Sequence, residues 1–318
     1  MKYQKIFIDT SNFYHRGFYT GQSMTTTLED GMKIVTGGIY NSLRMIQRIE
    51  RDFLQPEGEV YFLFDNSHSG LNRRKEIDPE YKANREKKDE SFYRSLDYLH
   101  LIILNYKDNY RTVKVEGMEA DDLVDTMVKM NPDDSILLVS NDLDWFRAIR
   151  ENVHVAKYED KDYHIYDKQG FIEKYGFEPT VNKICLYKSF KGDAGDNVPI
   201  GVEGIRTTVL IRLISEFDSI QDIYRHVDDL DYISPTFKER IKENTPRLLM
   251  NYRLVNYLDV SPEEIEENTF VCSFNPSTLN SLYKTLDFDI SKIDPRVYQF
   301  FPKKEKGSFF KLEKIPRA

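Results

Sequence analysis

The sequence predicts an α/β protein, a mostly parallel central sheet flanked by helices, with a helical region following it. Two patterns carry this expectation. In the first half, short apolar runs of strand length at residues 5–9, 59–65, 135–140 and 153–157 alternate with stretches of helical period. Strands that alternate with helices argue for a parallel sheet covered on both faces. From about residue 179 the pattern turns helical, with apolar residues at helical spacing over 181–190, 207–217, 220–227, 247–258 and 278–286.

Taken in order, residues 5–9 are a buried strand closing on Asp9. A helix is expected over 37–53, where Ile39, Leu43, Ile46 and Phe53 recur at helical spacing. The strand at 59–65 closes on Asp65, and a helix over 121–130 stops before Asn131-Pro132. After the strand at 135–140, residues 153–158 and 163–166, joined through 159–162, suggest a β-hairpin at one edge. There are no internal repeats. The last segment, 300–318, mixes lysines with Phe309-Phe310 and fits neither pattern.

Length and composition bound the answer. A chain of 318 residues with 40% hydrophobic and 13% aromatic content suits one large packed domain or two modest ones. No apolar run approaches the roughly 20 residues a membrane span requires, and Met1-Lys2 leads straight into Ile6-Phe7-Ile8-Asp9 without a signal-peptide pattern. Cys185 and Cys272 lack pairing or metal-ligand spacing and read as reduced core thiols. Together these point to a cytoplasmic protein. The net charge of −8 does not argue against an anionic ligand, because it says nothing of where the charges sit.

The chemistry lies in the acids. Asp9, Asp65 and Asp142 each close an apolar run, in Ile-Phe-Ile-Asp, Tyr-Phe-Leu-Phe-Asp and Leu-Leu-Val-Ser-Asn-Asp. In an open parallel sheet the carboxyl ends of the strands face the crevice where ligands bind, so separate strands deliver these acids to one edge. Asp144 follows Asp142 at i+2, on the same side if strand geometry persists. Glu119-Ala120-Asp121-Asp122 opens a helix, where the dipole favours acids, and Asp193 and Asp196 lie in the turn Gly192-Asp193-Ala194-Gly195-Asp196. Any one acid alone reads as a turn former or cap; their recurrence at strand ends does not. Brought together, these nine carboxylates would repel one another strongly without cations. All-oxygen ligands with no His or Cys nearby suit magnesium or manganese, not zinc.

Between Asp65 and Glu119 runs a basic stretch, Arg73-Arg74-Lys75 and then Tyr81-Lys82-Ala83-Asn84-Arg85-Glu86-Lys87-Lys88. It reads either as a solvated surface or as a cationic segment that grips phosphates and offers an aromatic to stack on a base. Carboxylates beside cations are what a phosphodiester substrate requires.

At these residues the sequence resembles the 5′ nuclease family, which includes the N-terminal domain of bacterial DNA polymerase I, phage 5′ exonucleases of the ribonuclease H type and eukaryotic flap endonucleases. The motifs that carry the resemblance are Phe7-Ile8-Asp9, Leu63-Phe64-Asp65, Glu80-Tyr81-Lys82-Ala83-Asn84-Arg85, Glu119-Ala120-Asp121-Asp122, Ser140-Asn141-Asp142-Leu143-Asp144 and residues 188–197. They span about residues 5–217, and the phage enzymes are the nearest in length.

The resemblance implies a PIN-like nuclease core over 1–178 with a basic helical arch at about 67–105, and a helical region over 179–318 with a helix–hairpin–helix at about 184–217. It implies two metal sites, Asp9, Asp65, Glu119 and Asp121 with Asp122 near the first, and Asp142, Asp144, Asp193 and Asp196 in the second. Lys82 and Arg85 match the arch pair that contacts the scissile phosphate, and Tyr81 takes a stacking position. Arg73, Arg74, Lys188, Gly201, Gly204 and Arg206 are the further expected DNA contacts. The family's hairpin holds a monovalent cation; here Ile200 is an extra residue and Arg206-Thr207-Thr208 replaces the usual Gly-x-Lys. The implied activity is metal-dependent 5′-3′ exonuclease or flap endonuclease cleavage by a monomer. Its ligands would be DNA with 5′ ends, flaps or nicks, and RNA–DNA hybrids, with a single-strand binding protein or sliding clamp as partner. A catalytically silent DNA-binding relative and an RNA-specific PIN-type nuclease are the alternatives.

Overall fold

The computed structural model describes residues 1–66, 73–86 and 88–302. Along the chain come β1 (Tyr3–Asp9), α1 (Thr10–Thr20), β2 (Thr25–Thr27), β3 (Lys33–Val35), α2 (Gly37–Phe53) and β4 (Leu54–Leu63). Next are α3 (Arg74–Ile77), α4 (Glu90–Leu104), β5 (Tyr110–Val113), α5 (Ala120–Lys129), β6 (Ile136–Val139), a 3-10 turn (Leu143–Ala148), β7 (Val153–Glu159) and β8 (Asp162–Tyr166). The rest is largely helical: α6 (Lys168–Tyr175), α7 (Val181–Lys191), α8 (Thr207–Glu216), α9 (Ile220–His226), α10 (Pro235–Glu243) and α11 (Thr245–Val255). It ends with α12 (Pro262–Glu267), β9 (Thr269–Val271), α13 (Pro276–Thr285), α14 (Ile290–Ile293) and α15 (Pro295–Phe300).

The strands β8-β7-β6-β1-β4-β5-β9 form one sheet. The inner pairings are parallel, while β8 and β9 join antiparallel at the two edges. This is the mixed, mostly parallel sheet flanked by helices that the alternation predicts. β1 is central and covered on both faces, so its side chains divide between two cores. Phe7 enters the cluster with α5, α7 and α8, and Ile6 and Ile8 enter the cluster with α1, α2 and α4. α2 turns Ile39, Leu43, Ile46 and Ile49 inward and packs so closely on α1 that a Cβ on Gly37 would lie 2.0 Å from the Gly21 carbonyl oxygen. That contact fixes α1, whose N-cap is Asp9.

The hairpin is tighter than the sequence suggests: only Asp160 and Lys161 separate β7 from β8, both at positive φ, as a two-residue turn demands. α1, β5 and β9 were not foreseen. β9 returns from the helical half to pair with β5, and α13 to α15 pack on the sheet, so both hydrophobic clusters cross the expected 178/179 boundary. Part of the expected arch, 67–72 and 87, and residues 303–318 of the last segment lie outside the described residues. Within the expected arch, α4 is a core-layer helix that buries Phe92, Leu99, Ile102 and Ile103.

Candidate active site

Neighbouring strands β6, β1 and β4 end side by side: β1 closes on Asp9, and Asp142 and Asp65 follow within three residues of the ends of β6 and β4. Each is tied down locally. Asp9 accepts from the Asn12 amide at 3.0 Å and from Ser140 Oγ at 2.7 Å. Asp65 accepts from the Ala120 amide at 2.9 Å, which docks the start of α5 against the end of β4. Asp142 caps the 3-10 turn by accepting from the Asp144 amide at 3.0 Å. The result is a crevice of about 1380 Å³ lined by Asp9, Asp65, Glu119, Asp121, Asp142, Asp144 and Asp196, seven of the nine acids expected from sequence.

The electrostatics are those of a site built for cations. Burial, reinforced by Asp65, pushes the Asp9 carboxyl up to about 8. Burial and the Asp122 carboxylate push Asp121 well above the ordinary range. Asp144 Oδ1 is buried without a hydrogen-bond partner, and carboxylate oxygens of Glu119, Asp121 and Asp122 lie within 4.8 Å of one another. An oxygen-only donor set of buried, mutually repelling carboxylates fits hard divalent cations.

Cations of the chain itself occupy part of this field. Burial would raise the Glu119 carboxyl, but Lys82 at 2.6 Å and Arg74 at 3.3 Å hold it below its usual range. Asp144 is likewise held low against burial by Arg147 and by Lys188, whose Nζ lies 2.7 Å from Asp144 and 2.9 Å from Asp193. The basic segment lies against the turn that carries Asp196: the Lys82 amide donates to the Asp196 carbonyl at 2.9 Å, Asn84 to the Ala194 carbonyl at 2.8 Å and Arg85 Nε to the Gly195 carbonyl at 2.9 Å. Lys82 adopts φ 57 to make this approach, and Arg85 pairs with Asp196 at 2.5 Å.

Several expected DNA contacts prove to be internal. Arg74, at 2% exposure, binds Asp122 through both guanidinium arms at 2.7 and 2.6 Å and donates to the Leu254 and Asn256 carbonyls. Asp122 is thereby spoken for: beyond Arg74, it accepts from the Leu258 and Glu119 amides. Tyr81, expected to stack on a base, is 3% exposed, and its hydroxyl donates to Glu119 and Asp196. Lys188 is buried between Asp144 and Asp193. Arg73 stays at the surface but pairs with Glu264 at 2.5 Å. In the hairpin between α7 and α8, Gly201 does not offer an open amide; it donates to the Phe190 carbonyl at 3.0 Å, and a Cβ there would meet the Ser189 carbonyl oxygen at 2.2 Å. Gly204, at φ 78, and Arg206 are exposed in this hairpin.

The sequence reading missed three contributors. Ser140 bridges β6 to Asp9. Arg147, three residues past Asp144 on the 3-10 turn, reaches both Asp144 and Asp121, and that i+3 spacing was its only signal. A non-acidic stretch of the crevice comes from His15 on α1 and from Phe92, Tyr93 and Leu96 on α4, beside Lys75 and Lys88 of the basic stretch already read from sequence. α4 falls within the span that the resemblance gives to a basic arch, and nothing in the sequence marks it as a core helix bordering the acids.

Residues 4–176 match the family described as 5′-3′ exonuclease, N-terminal resolvase-like domain. The DNA polymerase I of Caldicellulosiruptor bescii is 26% identical over 290 residues, covering 89% of this chain but 32% of the polymerase. The 5′-3′ exonuclease of Mycoplasmopsis pulmonis is 24% identical over 271 residues, covering 85% of this chain and 86% of that protein. The chain thus spans about a third of the polymerase and most of the free-standing exonuclease. Among solved structures, the T5 D15 protein co-crystallized with metal ions superposes with a TM-score of 0.64 at 20% identity, covering 89% of this chain and 99% of that one. The catalytic core of Rad2 in complex with DNA substrate gives 0.54 at 14% identity, covering 94% and 92%. At such identities the structures show a shared fold, while the family match covers more than half of the chain and includes the strand-end acids; the chain belongs to the 5′-3′ exonuclease family, with its N-terminal resolvase-like domain over residues 4–176.

Proposed function

We propose that this chain is a divalent-metal-dependent, structure-specific 5′ nuclease, a phosphodiester hydrolase acting on DNA with 5′ ends, flaps or nicks, and on RNA–DNA hybrids, during replication or repair. The observation that carries this reading is the convergence of seven carboxylates on one crevice with Lys82 and Arg85 beside them.

Asp9, Asp65, Glu119 and Asp121 would hold one magnesium or manganese ion, and Asp142, Asp144, Asp193 and Asp196 a second. When bound, such a pair supplies an activated water and charge stabilisation for the leaving oxygen. The chain's own groups do the rest. Lys82 and Arg85 are placed by main-chain bonds to 194–196, so their charges bind and orient a phosphate that enters against Glu119 and Asp196. Ser140, Arg147 and Arg74 orient carboxylates from behind. His15, Tyr93 and Leu96 give the crevice a surface suited to the face of a nucleobase. Gly204 and Arg206 at the hairpin tip contact the duplex backbone; with the Gly201 amide committed to Phe190, a monovalent-ion site there would have to rest on other groups. No helix among the described residues is long and apolar enough to cross a membrane, and the reading places the protein in the cytoplasm of a prokaryotic or phage-infected cell. We expect a monomer, with a single-strand binding protein or sliding clamp as partner.

The test is a 5′-labelled flap or nicked duplex incubated with the protein in magnesium or in chelator. Metal-dependent release of short 5′ products supports the proposal, and their length separates exonuclease from flap cutting. Binding without cleavage in either condition overturns it in favour of a silent DNA-binding relative.

A further inference from the structure

We propose that the Lys191 ammonium stands where a monovalent cation would sit in the hairpin between α7 and α8, so that this hairpin works without such an ion. The filling of the hairpin follows from the chain's own geometry; its use on a duplex rests on the nuclease reading.

Lys191 is the last residue of α7, and the turn that follows it is pressed against the hairpin. Gly192 has φ 72, and a Cβ there would meet the Val198 carbonyl oxygen at 2.7 Å and the Ile200 amide nitrogen at 2.8 Å. Only glycine allows so close an approach in this backbone conformation. It brings the half-buried Lys191 side chain within reach of the residues that open α8. Its Nζ donates to the Thr207 hydroxyl at 3.1 Å and lies 3.4 Å from the Ile205 carbonyl oxygen. A main-chain carbonyl and a threonine hydroxyl are the neutral oxygens that a monovalent ion accepts in exchange for water. An ammonium carries the same single charge and three donors to spend on such oxygens.

Other oxygens of the hairpin are committed to donors of the chain as well. The Val198 carbonyl accepts from the Asp193 amide at 2.9 Å, and the Pro199 carbonyl from Asn251 Nδ2 at 2.7 Å. The Glu203 carbonyl accepts from Arg240 Nη1 at 3.3 Å, which puts a second internal cation on the same hairpin. The Gly201 and Val202 amides both turn to the Phe190 carbonyl, which closes the hairpin onto α7. A monovalent ion entering here would meet two fixed positive charges, and carbonyls already in use, in place of its hydration shell. The residues present therefore do not fit the ion that the resemblance implies. Lys191 supplies the charge from within, and its aliphatic stem ties that charge to α7 so that it cannot dissociate.

The test exchanges tetramethylammonium for potassium at constant ionic strength, in saturating magnesium so that the acidic crevice does not compete for the ion. The amide resonances of Ile205, Arg206, Thr207 and Thr208 and the melting temperature are followed in the full chain. The parent is expected to show no saturable shift at these amides and the same melting temperature in both salts. Lys191→Ala, which frees the Ile205 carbonyl and the Thr207 hydroxyl, is expected to melt lower in tetramethylammonium and to recover at least about half of that loss in potassium, with saturable shifts at 205–208. A saturable potassium shift at these amides in the parent overturns the proposal, and this holds even if the variant fails to fold. A folded Lys191→Ala that ignores potassium also overturns it, because the ammonium then stands in for no ion. Binding of a nicked duplex, measured by anisotropy with Asp121→Asn added to prevent cleavage, extends the test: affinity should agree within about twofold between the salts with Lys191 present and differ at least about fivefold with alanine there. Absence of any duplex binding would sink the nuclease reading, while the resonances and melting temperatures of the free protein still decide the ion.

Discussion

Arg147 Nη2 lies 3.5 Å from Asp144 Oδ1 and 3.6 Å from Asp121 Oδ2, so one fully buried guanidinium stands between carboxylates assigned to the two proposed metal sites. It is held there from both sides, by the Tyr257 ring 3.8 Å away and by its Nε bond to the Asp144 carbonyl. Nη2 finds no hydrogen-bond partner of good geometry, so its role is charge balance, not a directed bond. Removing one partner of a buried ion pair costs roughly 3–5 kcal/mol. Arg147→Met is therefore expected to lower stability by about that amount in chelator, read by urea unfolding, with part of the loss restored by magnesium. An unchanged midpoint would assign the guanidinium no share in holding the acids.

Asp121→Asn and Asp144→Asn are expected to lower the cleavage rate at least about a hundredfold, the scale of losing a key electrostatic group at a reacting centre. Because burial and Asp122 already raise the Asp121 carboxyl, Asp121→Asn should fold at least as stably as the parent in chelator. Rates at the parental level on a 5′ flap would remove both residues from the metal sites.

The Asp9 carboxyl rises from 3.8 to about 8 on folding, so ionising it opposes the folded state. Its favourable contribution is complete below the unfolded value and disappears as pH climbs through about 8. In chelator, the melting temperature should fall across that window, and Asp9→Asn should flatten the fall. Magnesium, which favours the ionised form, should oppose it. A melting profile independent of both pH and the substitution contradicts this account.

Tyr81 donates its hydroxyl to Glu119 and Asp196 from a buried position. Tyr81→Phe, which keeps the ring, is expected to destabilise by about 1 kcal/mol, the net worth of a buried hydrogen bond. Binding of a single-stranded 5′ arm, followed by fluorescence anisotropy, should stay as it is. A base-stacking Tyr81 would give the reverse, with Tyr81→Phe silent and Tyr81→Leu weakening the complex.

The acids at Asp9, Asp65 and Asp142 were legible because a continuous apolar run closed by a carboxylate is a local pattern, and parallel sheets use their strand ends. The orientation of the basic run was not. Arg73, Arg74 and Lys75 look alike in sequence, yet Arg74 alone points inward, toward Asp122, because the segment leans on 254–258, a stretch far along the chain. The fates of Tyr81 and Lys188 depend in the same way on distant carboxylates. β5 and β9, at four and three residues, are too short for a period to show and exist through their pairing.

The adjacency of β6, β1 and β4 gives the crevice a built-in gauge. Neighbouring strands sit about 4.8 Å apart, close to the roughly 4 Å that separates paired catalytic ions. The spacing of the strand ends is therefore set by the hydrogen-bond lattice of the sheet, and Asp9, Asp65 and Asp142 lie within three residues of those ends. Insertions in the connections should leave that interval untouched. A one-residue register slip in any of these strands would carry its acid to the opposite face, so the catalytic geometry is only as tolerant as the most deeply buried pairing in the fold.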